Sequence, residues 1–160
     1  MTTISNWEIT TASPPASLVL ATRLGERLKG GEVIELVGDL GSGKTAFVRG
    51  LAVGFGSSDS VSSPSFTLSN QYAAGELTMH HFDFYRLSEP GILRAELDEI
   101  MADKRNCTVI EWADIVSEAL PSERLTIVIS VTGEFSRLYR FSCPAPLVYL
   151  ASNEIGYTET

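Results

Sequence analysis

Two periodicities alternate along this chain. Leu20, Leu24 and Leu28 recur at helical spacing behind Ser13, Pro14 and Pro15, which form a start signal, and Gly30 with Gly31 stops the run. A short β-branched strand is predicted over residues 32–37, a glycine-rich turn over 38–43, and a helix over 44–54 with Phe47, Val48, Leu51 and Phe55 on one side. Residues 57–65 are rich in Ser, Asp and Pro, which predicts an extended surface loop, the kind of segment that often carries function. Two strands follow, at about 66–72 and 77–85, and the connection Ala73, Ala74, Gly75, Glu76 is short enough for an antiparallel hairpin.

Leu93, Leu97, Ile100 and Met101 lie at core spacing in a helix predicted over 88–101, with Pro90 in its first turn. Residues 107–110 are continuously apolar, like a parallel strand buried on both faces; Glu111 and Trp112 follow it at once, then a helix that Pro121 stops after Leu120. Leu125, Ile127, Ile129 and Val131 share one face of a last hairpin with Tyr139, Phe141 and Cys143, across a turn at Thr132 and Gly133. Residues 151–160 are polar, with only Glu154 and Glu159 charged, and are expected to form a weakly ordered or draped tail. With no repeat and no long linker, residues 1–160 are expected to build one domain.

Composition narrows the function classes. The 160 residues carry 20 acidic and 12 basic side chains, a net charge of −8, and no Lys or Arg beyond Arg140. Phosphate neutralisation dominates nucleic-acid affinity, so such a chain is poorly suited to gripping DNA or RNA unaided. Cys107 and Cys143 are isolated, and no secretory leader opens the chain, which predicts a reducing, cytoplasmic setting without a disulfide-linked partner. No apolar run approaches the ~20 residues of a membrane-spanning helix.

The chemistry concentrates in Gly38, Asp39, Leu40, Gly41, Ser42, Gly43, Lys44 and Thr45, two glycines separated by four residues and followed by Lys-Thr. This is the phosphate-binding loop pattern, and its place between an apolar strand and an amphipathic helix is the context that supports it. Glycines let successive backbone N–H groups turn inward around phosphates, and the next helix offers its positive N-terminus to the same charge. Asp39 to Thr45, the next residue Ala46, and Trp112 are the candidate contacts to ATP, with Lys44 reaching the β- and γ-phosphates and Thr45 ligating Mg²⁺. Together with the strand pattern, the motif predicts an α/β fold of P-loop NTPase type: a mixed sheet with a parallel core, antiparallel hairpins, and helices on both faces.

A nucleotide-hydrolysing site also needs acids at strand ends. Glu111 directly follows the buried strand, the usual place for a second Mg²⁺ contact, although a Glu is also at home at a helix N-terminus. In the segment His80, His81, Phe82, Asp83, Phe84, Tyr85, Arg86, alternation puts His81, Asp83 and Tyr85 on one face; Asp83 is the second candidate catalytic acid or a solvent-facing edge residue. The two histidines face opposite ways and are not expected to chelate one metal. Trp112 either stacks near the nucleotide or fills the core. Ser62, Ser63, Ser65 and Thr67 either form a nucleotide-sensing switch or simply cap and turn the chain.

GDLGSGKT, SSPSFT, HFDFYRL and IEW, in that order, resemble the TsaE (YjeE) family, the small bacterial ATPases needed, with TsaB and TsaD, to make the threonylcarbamoyladenosine modification of tRNA. The resemblance runs over about residues 13–121. It implies that Lys44 and Thr45 bind phosphate and Mg²⁺, that Glu111 completes the metal site, that Asp83 is a second essential acid, that 63–67 is a mobile switch, and that Trp112 lies near the site. It also implies that tRNA is reached only through the partner complex, which ATP hydrolysis would reset between rounds, so an acidic chain is no contradiction. Relatives often read GAGKTTF and SPTFT, whereas Ser42, Ala46 and Ser65 stand here, one hydroxyl fewer near the phosphates. A small-molecule phosphotransferase would need clustered arginines to clamp the phosphoryl group, and Arg49, Arg86, Arg94 and Arg105 are scattered. A nonhydrolytic nucleotide-dependent binding module is the third reading, and no Asn-Lys-x-Asp guanine-reading segment supports a GTPase.

Overall fold

The computed structural model describes residues 4–64, 68–87, 89, 91 and 93–151. Seven strands form one sheet: β1 (Ile4–Thr11), β2 (Val33–Val37), β3 (Ser69–Ala74), β4 (Leu77–Asp83), β5 (Asn106–Glu111), β6 (Leu125–Val131) and β7 (Arg137–Pro144), in the order β1-β7-β6-β2-β5-β4-β3. β6, β2, β5 and β4 run parallel in the middle, and antiparallel pairs β6–β7, β7–β1 and β4–β3 flank them. This is the expected mixed α/β architecture.

Helices α1 (Pro14–Gly25) and α2 (Lys44–Phe55) cover one face of the sheet, burying Leu20, Leu24, Phe47, Val48 and Leu51 against Ile34, Leu36, Val109 and Ile127. Helix α3 (Leu93–Ala102) and a 3₁₀ segment (Ala113–Ala119) cover the other, over Val33, Phe82 and Ile110. Ser13 caps α1, its side chain accepting from the Ala16 N–H, as the Ser-Pro-Pro start predicts. The β3–β4 hairpin turns on Gly75 at φ +62, so its connection is two residues rather than four.

Several elements differ from expectation. β1 has no forerunner in the sequence reading; it is an edge strand with only Ile9 and Thr11 buried. α3 begins at Leu93, two residues past Gly91 at φ +44, while 88, 90 and 92 lie outside the described residues, as do 65–67 of the predicted switch and strand. The segment after Trp112 is 3₁₀ rather than α-helix. Val131 leaves the core at the end of β6, and a 3₁₀ segment (Ala145–Ala151) follows β7; residues 152–160 of the expected tail lie outside the described residues. Both cysteines are free and buried, and no described helix is long and apolar enough to cross a membrane.

α2, which carries the phosphate loop at its start, lies very close to α1. A Cβ on Gly54 would fall 1.9 Å from the Thr22 carbonyl oxygen and one on Gly25 2.2 Å from that of Leu51, both backbone atoms that cannot swing away. Gly54→Ala is therefore expected to lower stability by about 2–3 kcal/mol in urea unfolding, despite the ~1 kcal/mol helix-propensity advantage of Ala. Unchanged or raised stability would show that the two helices are not held together at this point.

Candidate functional site

The glycine loop and the two candidate acids lie at the carboxyl edge of the parallel strands, where α/β sheets bind ligands. β2 ends at Val37 and leads into the loop 38–43; β5 ends at Glu111; β4 ends at Asp83. Register aligns them, with Leu36 beside Glu111 and Glu111 beside Asp83, so both acids lie on the face covered by α2. A cleft of about 250 Å³ opens there, lined by Lys44, Thr45, Asp83, Glu111, Trp112 and Ser63 together with Leu40, Gly41, Gly43 and Ala46.

The loop conformation explains its glycines. Gly41 and Gly43 stand at φ +79 and +104, a region costly for other residues, and a Cβ on either would meet nothing within 4 Å. Gly38 is required by packing instead, since its Cβ would lie 2.5 Å from Ser42 Oγ and 2.9 Å from the Ile129 carbonyl oxygen. Lys44 is 6% exposed, and its ammonium donates to the Gly38 and Asp39 carbonyls (2.5 and 2.9 Å). Its charge also sits 4.5 Å above the Trp112 ring. Burial lowers the Lys44 pKa, and Glu111, Asp83 and Asp39 oppose that shift. Two of its three protons are engaged with the loop, which leaves one for a phosphate oxygen.

Glu111 is 2% exposed and its Oε2 lies 2.6 Å from His81 Nε2. Asp83 is held at Oδ1 by the Tyr85 N–H (3.0 Å), and Oδ2 is 3.5 Å from Ser63 Oγ. Trp112, half-buried, rests against Tyr85 with ring centroids 4.8 Å apart, at a left-handed φ of +57. Such a backbone costs a non-glycine residue of order 1–2 kcal/mol, and strain of this kind concentrates at functional sites. Trp112 thus borders the cleft as well as touching the core.

Two residues of the predicted contact set do not line this cleft. Asp39 and Ser42 border a second groove of about 450 Å³, which Trp112 also lines, with Val37, Asp114 and Val131. The Ser42 hydroxyl is buried with no hydrogen-bond partner among the described residues, and the Ser42 carbonyl accepts from Arg137 Nε at 2.9 Å. A third groove, about 500 Å³, shares Ser42, Gly43 and Ala46 with the loop and is walled by Pro14, Pro15, Leu18, Phe135 and Tyr139.

Sequence reasoning passed over two residues. Alternation places His81 on one face with Asp83 and Tyr85 but does not report its partner, Glu111 on the neighbouring strand. Arg137 fastens the loop and also donates to the Gly133 and Ser136 carbonyls of the β6–β7 connection, from 95 residues away in sequence. Among the described residues no three His, Cys, Asp or Glu side chains could enclose a metal. The hard oxygens of Thr45, Glu111 and Asp83 suit Mg²⁺, which keeps waters and takes phosphate oxygens rather than an all-protein cage.

The family model for the threonylcarbamoyl adenosine biosynthesis protein TsaE matches residues 11–139. The chain is 38% identical over 132 residues to the tRNA threonylcarbamoyladenosine biosynthesis protein TsaE of Bacillus subtilis, covering 82% of each chain. It is 36% identical over 129 residues to the protein of that name from Nostoc, covering 79% of each. The crystal structure of Bacillus subtilis YdiB superposes with a TM-score of 0.72 at 30% identity, over 97% of this chain and 95% of that one.

Proposed function

Since the chain belongs to the TsaE family of tRNA threonylcarbamoyladenosine biosynthesis proteins, we propose that it binds ATP with Mg²⁺ in the cleft beside the loop and hydrolyses it to drive that modification. The observation that carries this reading is the convergence of Lys44, Thr45, Asp83 and Glu111 on one cleft beneath an inward-turned glycine loop. The loop amides and Lys44 bind the phosphates, and Thr45 and Glu111 hold the metal. A Mg²⁺ ion held there would supply positive charge against the negative charge that develops on the phosphates. Asp83, fixed by the Tyr85 N–H, orients the water that attacks the γ-phosphorus as the bond to the β–γ bridging oxygen breaks, yielding ADP and inorganic phosphate. The adenine lies in the apolar groove between Pro14, Pro15 and Phe135, which adjoins the loop at Gly43 and Ala46.

The remaining parts of the reaction belong to partners. We assign TsaB and TsaD as those partners and the cytoplasm as the setting, and tRNA is contacted through them, which suits a net charge of −8. One detail of the cleft argues against a phosphotransferase: among its described lining residues Lys44 is the lone cation, and Arg86 is exposed outside it. Phosphate release from ATP and Mg²⁺ is expected to be slow for the protein alone and markedly faster once TsaB and TsaD are added. Release that requires a small-molecule acceptor would support a phosphotransferase, and none under any condition would support a binding module.

A further inference from the structure

Glu111 is held from behind by a buried chain of hydrogen bonds. His81, fully buried on β4, faces the α2 side of the sheet and places Nε2 2.6 Å from Glu111 Oε2. A carboxylate oxygen only accepts, so Nε2 carries a proton whatever the charge of the ring, and His81 acts toward Glu111 as a donor rather than as a metal ligand. His81 takes Oε2, which leaves Oε1 as the oxygen it does not occupy. On the other side of the ring, the Tyr72 hydroxyl from β3 lies 3.3 Å from Nδ1 and, equally, 3.3 Å from the Ser62 carbonyl. That hydroxyl has one proton to share between them, and Asn70 Nδ2 donates to the same carbonyl at 3.0 Å.

Ser62 precedes Ser63, whose hydroxyl faces Asp83 in the cleft. The chain therefore runs from the loop beside Asp83, through two buried rings, to the back of Glu111. Phe at position 72 would keep the buried ring without its hydroxyl, so the polar link from Tyr72 to His81 calls for an explanation beyond packing. We propose that His81 is a positioning residue that fixes Glu111 for Mg²⁺, and that Tyr72 couples this grip to the position of the loop at Ser62. The proposal rests on the reading of the cleft as a Mg²⁺–ATP site and adds to it residues that touch neither ligand. Outer partners of metal-binding groups set ligand orientation, and losing one typically costs ~10–100-fold in metal affinity.

The test is equilibrium binding on the full chain: ATP titrated by calorimetry in EDTA, and Mg²⁺ titrated at saturating ATP, with thermal melting as the check on folding. His81→Leu is expected to weaken Mg²⁺ about tenfold and Tyr72→Phe about threefold, while metal-free ATP affinity stays within about twofold; His81→Gln, whose amide can donate to Glu111, is expected to recover most of the loss. Folded His81→Leu with unchanged Mg²⁺ affinity, equal losses with and without metal, or no recovery in His81→Gln would each overturn the proposal. If His81→Leu does not fold, Tyr72→Phe decides, and unchanged Mg²⁺ affinity there overturns it. Wild-type protein that binds ATP equally well with and without Mg²⁺ would instead overturn the metal-site reading beneath it, and the proposal with it.

Discussion

Lys44→Ala is expected to weaken Mg²⁺–ATP binding by roughly 100-fold and to abolish measurable hydrolysis, with the fold retained. The side chain contributes a buried cation whose remaining proton is proposed to meet a phosphate oxygen, and a charge-assisted bond of this kind is worth about 1.5–3 kcal/mol. Its removal has a second cost. Glu111, Asp83 and Asp39 are the charges that act on Lys44, and without it they meet the incoming phosphates uncompensated. Together these effects reach about 3 kcal/mol, which is the stated loss in affinity. Folding is expected to survive because, among the described residues, the hydrogen bonds of Nζ go to carbonyls of the loop and not to the packed core between α1 and the sheet. Calorimetric titration with ATP and Mg²⁺, beside a thermal melt, measures both parts.

Glu111→Gln is expected to behave differently, and the difference identifies a metal ligand. The amide keeps the volume of the side chain but presents no charge to Mg²⁺, so phosphate release should fall by about 100-fold, the order seen when a single electrostatic group is removed from a reacting centre. Metal-free ATP should bind as tightly as to the parent, or more tightly, because a buried negative charge near Lys44 and the phosphate loop has been removed. A Glu that served only to begin the following 3₁₀ segment would give neither result. Its loss would lower stability and leave Mg²⁺ dependence intact. Titrations in EDTA and in Mg²⁺, set beside the release rate, separate these outcomes.

The parts of this molecule that were legible in its sequence are those whose signals are local. The strand, glycine loop and helix from β2 to α2 are contiguous, and β5 announces itself by an apolar run that ends in Glu111. Asp83 could be placed on the same face as His81 from alternation alone. What alternation could not give is the strand order: only the pairing of β4 with β5 brings Asp83 level with Glu111 and sets His81 behind it. β1 was missed because its polar positions, Ser5, Asn6, Glu8 and Thr10, belong to an edge strand, although Trp7, Ile9 and Thr11 do alternate. Trp7 then stacks on Phe141 of β7 with ring centroids 4.7 Å apart, a contact formed across the whole length of the chain. Residues 113–119 are 3₁₀ behind a left-handed turn at Trp112, and the periodicity of apolar positions reports neither feature. Arg137 was unreadable for the same reason as His81. Its partner, the Ser42 carbonyl, lies on another element, and nothing near position 137 in sequence signals a phosphate loop.

Nucleotide hydrolysis at this cleft and tRNA modification are linked most directly in one assay. Threonylcarbamoyladenosine formed on tRNA is counted per TsaB–TsaD complex over many rounds, with the parent chain and with Lys44→Ala. The parent is expected to sustain repeated rounds and Lys44→Ala to stop after about the first, as the proposal that hydrolysis resets the complex between rounds requires. Repeated modification with Lys44→Ala at the parent's level would contradict the account.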